Sequence, residues 1–399
     1  MKKIVIAPDS FKGNLTSMEV AVCIEKGIRR VLPKVKCIKI PMADGGEGTV
    51  QSLVDAAGGK LIKKRVKGPV GKIVTAHYGW LSGKQTAVIE MAEASGLPLV
   101  RGRDKNPLKT TTYGTGQLML DAIAHGAKQI IIGIGGSATN DGGTGMAQAL
   151  GVKFLNADGR EIKELGSGGM LAKIRVIDVT GLDAGVLAAD ILVACDVDNP
   201  LYGKKGAAHV FGPQKGATPR MVEVLDRNLR HLGKLIKRDL KKDVVRMPGA
   251  GAAGGLGGGL VAFTGATLES GIDIVLKTTE LGKYLKDADL VITGEGRIDF
   301  QTAFGKTPSG VARAAQKHKV PVVAIGGALA DDARNVYAHG IDGIASAAAK
   351  DMSLAEALRD SSSHLEDVAE RVIRMIRIGQ AMTAKKRKTT TRSGSGGLR

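Results

Sequence analysis

Aromatic residues are scarce, 12 of 399 or 3%, which argues against a surface that recognises nucleic acid by stacking bases. Cysteines are few and odd in number: Cys23, Cys37 and Cys195, widely spaced and without a CxxC pair. Neither a disulfide framework nor a zinc site is expected, and a reducing compartment fits. The seven histidines form no HExxH or other ligand pair, and no GxSxG elbow is present, which weakens hydrolase readings. The opening MKKIVIAPDSFKG has an apolar run too short for a secretory signal before Pro8 and Asp9 interrupt it. The one long uncharged stretch, Met247 to Leu268, holds eight glycines in 22 residues and is too poor a helix former to cross a bilayer alone. A soluble cytoplasmic protein with no membrane partner is expected. No internal repeat is apparent.

What the chain has in excess is glycine, 56 residues or 14%, about twice the usual share. With no Gly-X-Y period, these glycines mark sharp turns and places where backbone approaches a ligand. Hydrophobic (43%) and charged (24%) fractions are those of a globular protein, and the length suits two or three domains. The net charge is +19; the tail from Ala381 carries six basic residues and no acid, so the body keeps +13. A solvated basic surface accounts for that charge, and an electropositive site for anionic substrates would do so as well.

Short β-branched runs alternate with amphipathic stretches along the chain. Strands are expected at Lys3–Ala7, Lys36–Ile40, Lys128–Ile134, Ile191–Ala194, Leu290–Thr293 and Val322–Ile325. Helices are expected near Thr16, at Gly116–His125, at Pro219–Asp239 behind Thr218, at Gly310–Lys317 and at Leu354–Ile378; Thr16-x-x-Glu19 and Ser353-x-x-Glu356 read as capping boxes. This alternation predicts the α/β class, with mostly parallel sheets and ligands beyond the carboxyl ends of strands.

The acid- and glycine-rich segments sit just there. Asp9-Ser-Phe-Lys-Gly13 offers Ser10 and Lys12 to a polyhydroxy acid or a phosphate, or simply turns into the Thr16 cap. Asp44-Gly-Gly-Glu47 follows the second strand, with its carboxylates available to hydroxyls or a metal. The loop Gly135-Gly-Ser-Ala-Thr-Asn-Asp-Gly-Gly143 precedes a helical stretch and reads as an anion nest, with Gly135, Gly136, Ser137, Thr139, Asn140, Gly142 and Gly143 as phosphate contacts. Gly133-x-Gly135-x-x-Ala138 matches a loose dinucleotide fingerprint, but the acid at the required distance, Asp158, lies in a polar turn, so phosphate is preferred over NAD. Asp196 and Asp198 follow a buried strand and can bind Mg²⁺ or take a hydroxyl proton. Lys215 precedes a helix and suits a phosphate. Gly249-x-Gly251-x-x-Gly254, continued by Gly255, can lie against a nucleotide. Glu295, Arg297, Asp299 and Lys306 cluster after the LVIT strand and suit an anionic substrate; Gly305-Lys306-Thr307 is no Walker A loop, because its first glycine position holds Phe300.

Together the stretches APDSFKG, PMADGGEGT, TTYGTG, GIGGSATNDGG, ACDVDNPL, VFGPQKGAT, PGAGAAGGLG and VITGEGRID, in this order over roughly Met1 to Ile378, resemble the bacterial glycerate kinases of the glyoxylate and glucarate type. The resemblance implies two α/β domains, one inserted in the other, with the active site between them. On this reading residues 1–85 and 287–380 form the outer domain, 86–286 the insert and 381–399 a basic disordered tail. It implies ATP- and Mg²⁺-dependent phosphorylation of D-glycerate to 2-phosphoglycerate, with the 3-phosphate left open, and it leaves room for a homodimer. The glycine loop and Gly251–Gly257 would take the nucleotide, Lys215 the developing phosphate charge, and Asp196 or Asp198 the Mg²⁺ or the hydroxyl proton. Lys12 and Arg297 would hold the glycerate carboxylate, with Ser10, Asp44 and Glu295 near its hydroxyls. The departures are the tail and Ala328, where the family often has serine. Two rival readings are a non-catalytic nucleic-acid-binding protein, from the charge and the KKRK tail, and an NAD-dependent dehydrogenase of a small hydroxy acid.

Overall fold

The β-branched runs do form strands, and those near the two chain ends pair with one another. A computed structural model describes residues 1–348 and 351–393. Five wholly parallel strands run in the order Gly343–Ser346, Val322–Leu329, Leu290–Ile298, Lys3–Ile6 and Lys36–Lys39. Ile4 and Ile6, buried at the centre, pair with Leu290 and Ile292. A second sheet has six strands, in the order Thr267–Glu269, Asp190–Ala194, Gln129–Gly133, Thr86–Glu90, Ile73–Leu81 and Lys60–Lys67. Its first four are parallel; the last two pair antiparallel. The class is α/β with mostly parallel sheets, as the alternation predicts.

The antiparallel edge is not legible in the sequence. Lys60–Lys67 carries five basic residues in eight, a composition that reads as solvated surface. At a sheet edge such charges keep the unpaired backbone from recruiting another strand.

By its contacts the chain divides into two units, one joining Met1–Met42 to the chain from Glu280 and the other continuous over Ala43–Thr279. The boundary expected at residue 85 falls at 42 because Lys60–Lys67 and Ile73–Leu81 continue the sheet of Gln129–Gly133. The later boundary falls at 279 where 286 was expected.

The helix Ser17–Val31 opens on the capping box of Thr16 and Glu19 and buries Val20, Ile24 and Ile28. Its partner is the helix Ser361–Ser393, whose Leu365, Val368, Ala369, Val372 and Ile373 share that core. Arg30 adds bonds to Glu366 and Asp367 at 2.5 and 2.8 Å. The stretch expected as one helix from Leu354 is two, Leu354–Arg359 and Ser361–Ser393. The second continues to Ser393, through most of the segment expected to be disordered; Ala, Met and Lys extend an existing helix at little cost. Residues 394–399 lie outside the described residues. Among the described residues no helix is long and apolar enough to cross a membrane, and Met247 to Leu268 folds as the segment Ala252–Thr264, helical except for a kink at Ala253, Gly254 and Gly255 where φ is positive, and the strand Thr267–Glu269.

The two helices approach closely at Gly27, where a Cβ would stand 2.1 Å from the carbonyl oxygen of Glu366. Gly27→Ala should therefore force them apart and cost about 1–3 kcal/mol by overpacking. A urea titration would show a lowered midpoint at unchanged slope; an unchanged midpoint would contradict the packing described.

Candidate active site

In an open parallel sheet the loops leave room for a ligand where the strand order reverses. In the five-stranded sheet that point lies between Lys3–Ile6 and Leu290–Ile298. A cavity of about 620 Å³ opens there, its polar end lined by Asp9, Ser10, Lys12, Glu295, Arg297, Asp299 and Lys306. Phe11, Met352, Leu354 and Leu358 contribute an apolar side.

Asp9 is buried and held from two directions. Its Oδ1 accepts from the Ser10 N–H at 2.6 Å and its Oδ2 from the Thr307 hydroxyl at 2.6 Å. Glu295, only 9% exposed, sits on the strand Leu290–Ile298 opposite Gly326. Its Oε1 accepts from the Thr302 hydroxyl at 2.6 Å, and its Oε2 faces Lys306 Nζ at 3.9 Å. Burial pushes this carboxyl up to about 7, against the opposing pull of Thr302 and Lys306. Asp299 caps the short turn Phe300–Ala303, accepting from the Gln301 and Thr302 N–H groups, so it shapes the loop behind Glu295. Lys12 and Arg297 are exposed and Ser10 and Lys306 half-buried, an arrangement that offers cations to a small anion.

The continuous unit gathers a different set at the carboxyl ends of its parallel strands. A Cβ on Gly45, where φ is +88°, would meet Gly271 Cα at 2.7 Å and Ala194 Cβ at 2.9 Å. A Cβ on Gly133 would meet the Gly45 carbonyl at 2.9 Å. Backbone thus brings the 44–47 turn against the ends of Gln129–Gly133 and Asp190–Ala194. Asp44, Asp196, Ser270 and Asp273 meet in this corner: Asp196 Oδ1 accepts from Gly271 N at 3.0 Å, and desolvation raises its pKa, helped by Asp44 and Asp273. Asp196, Asp198 and Glu47 all keep exposed surface, and Asp44 is half-buried.

Beside that corner runs the glycine loop. Gly135 and Gly136 are exposed, whereas Ser137, Thr139, Asn140, Gly142 and Gly143 are buried. Lys215 is enclosed beneath them, donating to Ser137 Oγ and the Thr139 carbonyl at 2.6 Å each. Burial lowers its pKa to about 7, although Asp141 pulls it up. The enclosed Nζ thus ties the Ser137 side chain to the Thr139 carbonyl within the loop. Asp141, also fully buried, accepts from Thr112 N and Oγ1 at 2.8 and 2.7 Å and from Gly143 and Gly145 N at 3.1 and 3.2 Å. Thr139 Oγ1 and both side-chain polar atoms of Asn140 have no hydrogen-bond partner among the described residues.

Gly251, Gly254 and Gly255 were expected against a nucleotide; instead they are buried in backbone contacts. A Cβ on Gly254, where φ is +73°, would stand 2.0 Å from the Thr139 carbonyl, and one on Gly251 would stand 2.2 Å from that of Pro200. Gly254 and Gly255, in a kink with left-handed backbone, press directly on Thr139, Asn140 and Gly142 and so shape the glycine loop from behind.

Of the expected substrate residues, Ser10, Lys12, Glu295, Arg297, Asp299 and Lys306 come together in the cavity, while Asp44 and Glu47 belong to the other unit. Sequence reasoning passed over Asp141, Thr302 and Thr307. The hydroxyl in Gly305-Lys306-Thr307 was a signal for the last; Asp141 reads as a turn residue until its four donors are seen.

The model of the glycerate kinase family matches residues 4–377. A glycerate kinase of Halalkalibacterium halodurans is 53% identical over 372 residues, covering 93% of this chain and 97% of the relative. A glycerate 2-kinase of Escherichia coli K12 is 49% identical over 377 residues, covering 94% and 98%. A crystal structure from Salmonella typhimurium LT2, whose name assigns it to glycerate kinase 2, is 48% identical with a TM-score of 0.88, covering 95% of this chain and 99% of that one. The nucleic-acid and dehydrogenase readings give way; the fingerprint acid Asp158 lies in an exposed turn, as its sequence context implies. Matched over nearly all its length, the chain belongs to the glycerate kinase family, and it is a kinase.

Proposed function

We propose that the protein transfers the γ-phosphoryl group of ATP to D-glycerate in the cytoplasm. The observation that carries this reading is the cavity in which Lys12, Arg297 and Lys306 stand beside Asp9 and Glu295. Cations suit a carboxylate, and carboxylates accept from the hydroxyls of the same small acid. The 2-position as the point of transfer follows the name of the Escherichia coli relative.

Phosphoryl transfer asks chiefly for positioning and charge neutralisation. The exposed backbone of Gly135 and Gly136 would take the phosphates, and the unpartnered Thr139 and Asn140 side chains on the same loop fit a polar ligand. Asp196 and Asp44 supply hard oxygens, and among the described residues no group of three or more acids, histidines or cysteines could hold a metal unaided. That donor set fits Mg²⁺, which binds through one or two carboxylates and the substrate's phosphates. Bound there, Mg²⁺ neutralises charge on the phosphate oxygens. Ser137 and the Thr139 carbonyl are held in place by Lys215, and Asp141 fixes the following turn.

Phosphorus NMR with ATP, Mg²⁺ and D-glycerate should show a phosphoglycerate resonance coupled to one carbinol proton; coupling to two methylene protons would identify the 3-phosphate, and intact ATP would reject the reading. Asp196→Asn should raise the Mg²⁺ concentration for half-maximal rate by about tenfold, whereas Asp198→Asn should not. An equal shift in both would remove Asp196 from the metal role. Lys215→Met should cut turnover by about a hundredfold through a misplaced loop, as measured by coupled ADP release; unchanged turnover would show that the loop needs no brace.

A further inference from the structure

The aspartates at 196 and 198 are the acids the sequence offers for proton removal, yet the cavity that suits glycerate contains its own carboxylates. Three line it: Asp9, Glu295 and Asp299. Asp9 uses one oxygen on the Ser10 N–H and the other on the Thr307 hydroxyl. Asp299 also has a single oxygen tied, Oδ1 to two N–H groups of the turn that it caps, but it is only half-buried and lies beyond the strand end. Glu295 is buried on the strand itself. Only Oε1 is tied, to Thr302; Oε2 makes no hydrogen bond among the described residues and stands 3.9 Å from Lys306 Nζ on the cavity wall.

We infer that Glu295 is the general base of the reaction, receiving on Oε2 the proton of the glycerate hydroxyl that attacks phosphorus. The inference rests on the phosphorylation of glycerate proposed above. In the step, the hydroxyl O–H bond breaks and its proton passes to Glu295. The freed electron pair forms the new O–P bond to the γ-phosphorus. The bond from that phosphorus to the bridging oxygen breaks, and ADP leaves with its electron pair. Phosphoglycerate and ADP are the products, and Glu295 returns its proton to water.

Three further features support the assignment. The residue rides on a strand in the middle of the sheet, so its carboxylate is placed by rigid backbone on both sides. Thr302 orients Oε1 and leaves Oε2 directed to the ligand space. Burial lifts the carboxyl to about 7, where a base is both ionised at working pH and basic enough to take a proton. Lys306, close to Oε2, favours the ionised form and can pair with the substrate's carboxylate when Glu295 is protonated.

The test is the pH dependence of kcat between pH 5.5 and 9, measured on the full chain with saturating ATP, Mg²⁺ and D-glycerate. The wild type should lose activity below about pH 7 as Glu295 becomes protonated. Glu295→Gln should cut kcat by at least about a hundredfold, abolish that acid limb and leave ATP binding by calorimetry unchanged. Thr302→Val removes a hydrogen bond that favours the ionised carboxyl, so its acid limb should move to higher pH. That shift separates proton transfer from a purely structural role even if the glutamine variant folds poorly. Glu295→Gln activity within threefold of wild type with the acid limb intact, or an unmoved limb in Thr302→Val, would overturn the inference. A wild type that makes no phosphoglycerate would instead overturn the function on which it rests.

Discussion

Backbone pressed against backbone, with no side chain between, is the constraint on which the continuous unit depends. The Gly254 backbone lies on the Thr139 carbonyl, Gly45 on Gly271 and Gly133 on the Gly45 carbonyl. Each contact would be broken by a single methyl group. They carry the 44–47 turn, the 135–143 loop and the Asp196 segment to one corner, where the side chains of Lys215, Asp141 and Asp196 add long-range hydrogen bonds. The unusual glycine content is in good part the requirement of these contacts, and ligand approach accounts for less of it than the sequence implies.

Burial of charge is the second theme. Lys215 and Asp141 lie wholly inside and Glu295 nearly so, each opposed by desolvation and each retained by specific partners. Desolvation raises Asp141 despite four donated hydrogen bonds. A hydrophobic pair of similar volume would be cheaper to bury. These groups are therefore placed for geometry: two hold the glycine loop, and one faces a ligand cavity.

Much of this was legible beforehand. The central strands, the Thr16, Ser353 and Thr218 caps and the helix Pro219–Asp239 follow from β-branched runs and from capping chemistry, which are local signals. Six of the eight expected substrate residues come together because they lie in the carboxyl-terminal half of a strand or just beyond a strand end in one parallel sheet, a rule that sequence order alone can apply. What was hidden depends on partners remote in sequence. Lys60–Lys67 is a strand only because Ile73–Leu81 lies beside it, and Lys215 is a brace only because Ser137 and Thr139, far earlier in the chain, close over it. The glycines at 251, 254 and 255 look alike whether they meet a phosphate or a carbonyl; only packing tells which.

The pairing of the first and last helices in one core also bears on how the chain is made. Lys3–Ile6 finds one neighbour, Lys36–Lys39, within the first forty residues, but its other neighbour, Leu290–Ile298, emerges from the ribosome only after the whole of Ala43–Thr279. Domains tend to fold as their sequence becomes complete during synthesis. The continuous unit can therefore reach its native state first. The opening segment, with Val20, Ile24 and Ile28 uncovered, must wait for the Ser361–Ser393 helix and is exposed to chaperones or to aggregation throughout that interval.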